Sequence, residues 1–152
     1  MSVWLALGSA FGGAIGAALG WTISSFIGNP LRKFFDLRGE VIRRLIEFAN
    51  VPARWKEIAD DSGAKSGERI EIELAENEIA RLEEAQRTFR DLASQMRAFA
   101  ENEPLALWLV RLRYNPLKAS AGLIGLSNTY DTYGGTKAFQ RKTIETALRI
   151  KL

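Results

Sequence analysis

A stretch of 26 residues without an Asp, Glu, Lys or Arg, residues 3–28, constrains this chain more than any other feature. A helix of that length is roughly 39 Å long, and the hydrocarbon core of a bilayer is about 30 Å thick. No basic residue precedes the stretch, and it exceeds the apolar region of about 7 to 15 residues found in signal peptides. We therefore expect residues 1–29 to form a retained transmembrane helix. A buried core helix is the alternative.

Glycine recurs at every fourth position within this stretch, which predicts a groove along one side of the helix. The residues predicted to pack are Gly8, Gly12, Gly16 and Gly20 in the groove, with Phe11, Ile15 and Leu19 on an adjacent bulky ridge. Glycine allows close backbone approach between helices in lipid, where apolar side chains gain little from association. The groove is expected to hold a second copy of the chain or a helix of another membrane protein.

The residues flanking the stretch predict its orientation. Trp4 and Trp21 lie about 26 Å apart along a helix, as expected for anchors at the two bilayer interfaces. Five basic residues follow the stretch and are predicted to contact anionic lipid headgroups, namely Arg32, Lys33, Arg38, Arg43 and Arg44. By the positive-inside rule, the N-terminus faces out and the remainder is cytoplasmic. We expect a bacterial inner or plasma membrane.

The chain after the span is predicted to form a small, all-α cytoplasmic domain. The expected segments are juxtamembrane amphipathic helices at 30–59, a linker or extended segment at 60–74, and a helical domain at 75–152. In the first of these, a helix starting at Pro30 carries an apolar stripe that includes Phe34, Phe35 and Ile46. That stripe suits either the lipid surface or a protein core. Pro52 is expected to begin a short helix.

Helical periodicity is clearest between residues 75 and 101. The apolar positions there, spaced by three and four, are Ile79, Leu82, Ala85, Phe89, Leu92, Met96 and Phe99. Further helices are expected after Pro104 and Pro116, the first of them either in the core or at the membrane interface. A final helix over 136–150 is predicted to bury Phe139, Thr143, Ala147 and Ile150.

Composition restricts the chemistry of this chain, because it contains no His and no Cys. Ordinary zinc sites and hydrolase triads that use these residues are excluded. Carboxylates of the Glu-rich segment could share a metal, but the di-iron bundle pattern also requires His, so a solvated acidic face is favoured. We expect no enzymatic activity, no catalytic residue, no metal and no cofactor.

Charge is distributed unevenly around the net value of +3. Residues 30–58 carry seven Lys/Arg and four Asp/Glu, residues 59–103 carry six and twelve, and residues 104–152 carry eight and two. The basic C-terminal block contains aromatic residues, but anionic lipid is a nearer partner than nucleic acid for a tethered domain. We expect no nucleic-acid partner.

A glycine turn at Tyr133-Gly134-Gly135-Thr136-Lys137 also occurs in the C-terminal block. It could present amides to a phosphate, but it lacks the full spacing of a phosphate-binding loop. A plain turn that starts a helix is the favoured interpretation.

Two functions fit these observations. The favoured hypothesis is a structural, self-assembling anchor or accessory subunit of a membrane protein complex. The alternative is an oligomeric, membrane-perturbing or pore-forming effector, in which ridge-into-groove packing closes a ring and the cytoplasmic helices control assembly.

Overall fold

The computed structural model describes residue 16, residues 19–59 and residues 65–151. This part of the chain is mostly helical, as the sequence predicts. Its α-helices are α1 Asn29–Glu47, α2 Glu76–Asn102, α3 Pro104–Arg111, α4 Pro116–Thr129 and α5 Gly135–Leu148. Residues 19–23 are also helical and lead through a π-helical turn, Ser24–Gly28, directly into α1.

Proline and side-chain caps account for where several helices begin. Pro104 and Pro116 each occupy the first turn of a helix, where the missing N–H has no intrahelical acceptor to lose. Pro30 instead lies inside a continuous helical segment, just after the π-helical turn, where a residue without an N–H interrupts the regular hydrogen-bond ladder. The Asn115 side chain accepts a hydrogen bond of 3.0 Å from the Lys118 N–H, which caps α4. At α2 the Glu78 carboxylate reaches back to the Ala75 N–H at 3.0 Å.

A three-stranded sheet departs from the all-helical prediction. Its strands are β1 Trp55–Ala59, β2 Lys65–Glu71 and β3 Thr132–Tyr133, in the order β2-β1-β3. The middle strand is antiparallel to β2 and parallel to β3. The predicted short helix from Pro52 is therefore wrong, and part of the predicted linker is a paired strand.

Distant backbone partners explain why β1 is extended. The Trp55 N–H donates to the Asp131 carbonyl at 2.7 Å, and the Arg54 carbonyl accepts from the Ile72 N–H at the same distance. A strand with partners on both sides satisfies its backbone groups without forming a helix. One of these partners lies more than 70 residues further along the chain, beyond the reach of local periodicity.

The long helix α2 forms the centre of the core, and its predicted apolar seam is confirmed. Leu82, Ala85, Phe89, Leu92, Met96 and Phe99 are buried, and Ile79 is half-buried. Two aromatic clusters pack along this seam. Phe89 lies between Phe48 and Tyr130, at ring-centroid distances of 5.9 and 5.2 Å, and Phe34 stacks against Phe99 and Tyr114 at 5.4 Å. Such pairs stabilise a core beyond the area that they bury.

Helix α1 belongs to the same core, which settles the two interpretations of its apolar stripe. Phe34, Leu37, Val41 and Leu45 are buried against the rest of the domain. Phe35 and Ile46, which the periodicity placed on the stripe, are exposed instead. The buried face of α1 is thus rotated relative to the predicted face. From Phe34 onward it is formed by side chains that are three or four positions apart.

Small residues bring α4 close to its two neighbours. Ser120 and Ser127 donate to the carbonyls of Ala93 and Gln86 on α2, at 2.8 and 2.9 Å. On the α5 side, a Cβ atom at Gly122 would lie only 2.8 Å from Cγ1 of Ile144. Helices approach this closely only where side chains are small.

The buried face of α5 differs in part from the predicted one. Ile144, Ala147 and Leu148 of this helix are buried, and Ile150 is buried just after it. Phe139 was predicted on this face but is 67% exposed. The helix ends at Arg149, whose φ of 48° reverses the chain and brings Ile150 back onto the core.

Candidate functional site

An exposed helical segment leads away from the domain through residues 19–28. Residues 19–24 are all exposed, and they include the apolar side chains of Leu19, Trp21 and Ile23. A Cβ added at Gly16 or Gly20 would meet no atom of the described residues within 4 Å. This part of the predicted groove and ridge is therefore not covered by the domain.

The remainder of the predicted span lies outside the described residues. This applies to the packing residues Gly8, Gly12, Phe11 and Ile15, and to the predicted interface anchor Trp4. Among the residues that the structure does describe, no helix has the length and apolar character needed to cross a bilayer. The second predicted anchor, Trp21, is exposed and makes an edge-to-face contact with Phe26 at 6.5 Å.

Three of the five predicted headgroup ligands are engaged by the domain itself. Arg38 donates to the carbonyls of Leu148 and Arg149 at 2.9 and 3.1 Å, which caps the C-terminal end of α5. Its guanidinium also lies 5.6 Å from the ring centre of Tyr114. Arg38 therefore ties α1 to α5.

Arg43 and Arg44 form a surface ion-pair cluster on α1. Both donate to the Glu40 carboxylate, at 2.6 and 2.8 Å, and Arg44 also pairs with Glu47 at 2.9 Å. These hydrogen bonds hold the pKa of the Glu40 carboxyl below its ordinary value. The other two predicted ligands, Arg32 and Lys33, are exposed and form no ion pair within the described part of the chain.

Helix α3 presents a second exposed apolar surface, next to the exposed segment. Its Ala106, Leu107 and Val110 are buried in the core. On the opposite side Leu105, Trp108 and Leu112 are 58%, 67% and 73% exposed. Positions i, i+3 and i+7 share one helix face, so these three side chains form a continuous stripe.

The fold places α3 against the π-helical turn, Ser24–Gly28, at the base of the exposed segment. Phe35, which is also exposed, lies in edge-to-face contact with Tyr114 just beyond the end of α3. We define the α3 patch as this apolar patch, formed by Phe26, Phe35, Leu105, Trp108 and Leu112. The sequence allows α3 to lie either in the core or at the membrane interface. Both faces of this helix are apolar, so periodicity does not indicate which face is buried.

A basic basin borders the α3 patch at the C-terminal end of α3. This open cavity of about 850 Å³ is lined by the basic side chains of Arg111, Arg113, Lys118 and Arg149, and no described acidic residue lines it. These four side chains are exposed and make no ion pair with another described residue. Sequence reasoning missed the basin, because its residues come from separate elements.

The geometry of the basin favours an anion. The N-terminus of α4, with its positive dipole end, opens beside Lys118. The C-terminus of α5 lies on the other side of the basin, and free carbonyls there would repel an anion. These carbonyls are already hydrogen-bonded. The Ala147 carbonyl accepts from the Asn115 N–H at 2.9 Å, and the Leu148 and Arg149 carbonyls accept from Arg38.

The glycine turn before α5 does not direct its lysine outward to a ligand. The Lys137 ammonium lies 3.9 Å from the ring centre of Tyr130 and donates to the Tyr130 carbonyl at 3.4 Å. Burial lowers the pKa of this amine. Lys137 therefore stabilises the turn that joins β3 and α5 to the core.

No family model, curated protein or solved structure matches this chain. Among the described residues no group of three Asp, Glu, His or Cys is placed to hold a metal ion. The features that stand out from the folded domain are the exposed segment, the α3 patch and the basic basin.

Proposed function

We propose that this chain is a single-pass membrane protein that serves as a structural, self-assembling anchor or accessory subunit of a membrane protein complex. The observation that carries the proposal is the exposed segment. It continues α1 without a break, it carries no charge, and it leads toward the uncharged residues at the start of the chain. Its exposed side chains include Leu19, Trp21 and Ile23. An apolar helix surface that its own domain does not cover favours contact with lipid or a protein partner.

The glycine groove supports the assembly part of the proposal. Gly16 and Gly20 are open, and the ridge residue Leu19 beside them is exposed. In lipid, a small-residue groove stabilises helix pairs through close van der Waals contact. The partner is a second copy of the chain or the span of another membrane protein.

The charge pattern supports a cytoplasmic location for the domain. Asp36 is the first acidic residue of the chain. Two exposed basic residues, Arg32 and Lys33, precede it near the start of α1. Basic residues immediately after a span orient it with that side inward. Anionic headgroups are the lipid partner that these residues would meet.

Blue-native electrophoresis of the full chain in mild detergent tests the proposal. We expect the wild-type chain to migrate as an oligomer or with a co-purifying membrane protein. Gly12→Leu combined with Gly16→Leu should release monomer, because a leucine fills the groove and blocks close approach. Gly39→Leu is the matched control, since Gly39 is also an exposed helical glycine with open space around it. A monomeric wild type without a partner would contradict the proposal.

A membrane-perturbing oligomer is the second candidate, and one observation favours it. The ridge residue Leu19 and the groove at Gly16 and Gly20 are uncovered together, so ridge-into-groove contacts are available and can close a ring. Release of a trapped dye from liposomes separates the two candidates. A structural anchor leaves the dye inside at every protein concentration, whereas a pore-forming oligomer releases it with a steep dependence on concentration.

A further inference from the structure

We infer that α3 is an interfacial helix, which lies in the headgroup layer of an anionic bilayer and places the basic basin on a phospholipid headgroup. The inference rests on the proposed function, because the anchor fixes how close the domain lies to the membrane. Its partner is the lipid surface itself, specifically the phosphate of an anionic phospholipid.

The position of α3 along the exposed segment sets its depth. It contacts the π-helical turn, which forms the last residues of the predicted span. Each headgroup layer adds about 5 to 7 Å on its side of the hydrocarbon core. A helix beside Ser24–Gly28 is therefore held at the level of the headgroups.

The exposed side chains of α3 suit that level. Leu105 and Leu112 extend the apolar stripe on either side of Trp108, whose ring carries one polar N–H on an apolar body. Tryptophan concentrates at bilayer interfaces for this reason. In water this stripe would be unfavourably exposed, whereas insertion to the acyl boundary buries it.

Charge complementarity favours an anionic lipid surface as the partner of α3. The chain contains no acidic residue from position 1 to 35, and none between Glu103 and Asp131. The fold brings these two acid-free segments together at the α3 patch. Each Lys or Arg near an anionic leaflet contributes about 1 kcal/mol of attraction.

The basin adds a specific contact to this general attraction. Arg111 and Arg113 flank Leu112, the last residue of the apolar stripe, and Lys118 and Arg149 complete the cavity. Guanidinium groups bind phosphate oxygens in bidentate geometry. A second copy of the chain fits less well, because a symmetric contact through this face would bring two acid-free surfaces together and repel.

The absence of cysteine allows a direct test in the full chain. Single cysteines introduced as Leu19→Cys, Trp108→Cys and Phe139→Cys carry an environment-sensitive fluorophore in chains reconstituted into phosphatidylcholine vesicles, with or without phosphatidylglycerol. Phe139 is the matched control, because it is as exposed as Trp108, both at 67%, but belongs to α5 and is not one of the residues that form the α3 patch. Nitroxide-labelled lipid then quenches any fluorophore that contacts the bilayer.

We expect strong quenching at position 19, quenching at position 108 that increases with phosphatidylglycerol, and little at position 139. Quenching at 19 with none at 108 would overturn the inference and leave the anchor intact. An absence of quenching at 19 would contradict the proposed function itself. A blue-shifted but unquenched fluorophore at 108 would mean that protein covers α3, which also overturns the inference.

A charge variant tests the basin. Arg111→Gln, Arg113→Gln and Lys118→Gln together should abolish the phosphatidylglycerol-dependent increase at position 108. The control replaces three exposed basic residues that do not line the basin, Lys56, Arg90 and Lys142, and removes the same charge. At about 1 kcal/mol per residue, each substitution in the basin variant should lower the ratio of lipid-bound to unbound α3 roughly fivefold. Equal responses of the two variants would remove the headgroup site.

Discussion

Tyr130 shows how a single buried phenol connects the core to the chain's response to pH. Its ring packs on Phe89, and its hydroxyl donates to the backbone carbonyl of Phe48. Burial raises the pKa of this phenol from its ordinary value of 10.0 to about 12, although Arg141 and Arg81 act in the opposite direction. Because the folded state resists ionisation of Tyr130, this contribution to stability is full below pH 10 and is lost between about pH 10 and 12.

Tyr130→Phe should therefore have a pH-dependent effect. At pH 7 we expect the variant to be less stable by about 1–3 kcal/mol, because the Phe48 carbonyl loses its buried donor. The difference from wild type should shrink as the pH rises from 10 toward 12, since only the wild type loses the phenol's contribution. Urea unfolding followed by circular dichroism at several pH values measures this difference. A gap that stays constant to pH 12 would contradict the assignment.

At the level of helix packing, Gly122 determines how closely α4 approaches α5. A Cβ there would lie 2.8 Å from Cγ1 and 3.4 Å from the backbone nitrogen of Ile144. Gly122→Ala should destabilise the domain, because overpacking costs about 1–3 kcal/mol while the better helix propensity of alanine contributes at most about 1 kcal/mol.

Gly125→Ala is the control for this prediction, on the same helix. The three atoms nearest to its Cβ would all be at the end of the Gln140 side chain, which can rotate away. We expect a change within about 1 kcal/mol of wild type, or a slight gain from helix propensity. Urea unfolding measures both variants. Equal destabilisation by the two substitutions would show that the approach at Gly122 does not limit the packing.

The elements differ in how well local sequence predicts them. Helix α2 was predicted nearly to its ends, because its seam repeats over seven apolar positions and its partners need only bury that seam. The sequence does not predict the strand β1, because Trp55 and Ile58 also fit a helical spacing and the backbone partner at Asp131 is distant in sequence. For α3 the element was predicted but not its exposed face, because apolar residues occur on both sides.

The candidate site divides in the same way between local and tertiary information. Uncharged length and glycine spacing are properties of consecutive residues, and the sequence alone identifies them. The sequence alone does not show which predicted headgroup ligands have partners within the domain. Arg38 is an example, because the carbonyls that accept its hydrogen bonds lie about 110 residues away in the chain. The basin likewise exists only when α3, α4 and the end of α5 meet.

Considered as a whole, the molecule joins a self-sufficient domain to a segment that contributes little to its core. Among the residues that the structure describes, the buried ones begin at Pro30, and the π-helical turn contains none. A chain shortened to start at Ser24 should therefore melt within about 3 °C of the full chain in the same detergent, which corresponds to less than about 1 kcal/mol. Thermal unfolding followed by circular dichroism measures this.

The same shortened chain separates the anchor from the interfacial surface. Without residues 1–23 it should no longer float with neutral phosphatidylcholine vesicles, because it lacks most of the proposed span. It should retain weak binding to phosphatidylglycerol vesicles through α3 and the basin, and that binding should disappear at about 0.5 M salt, where the Debye length falls toward 4 Å. Flotation with neutral vesicles equal to that of the full chain would place the membrane attachment in the domain. Loss of the cooperative melt would instead show that the core depends on the segment before Ser24.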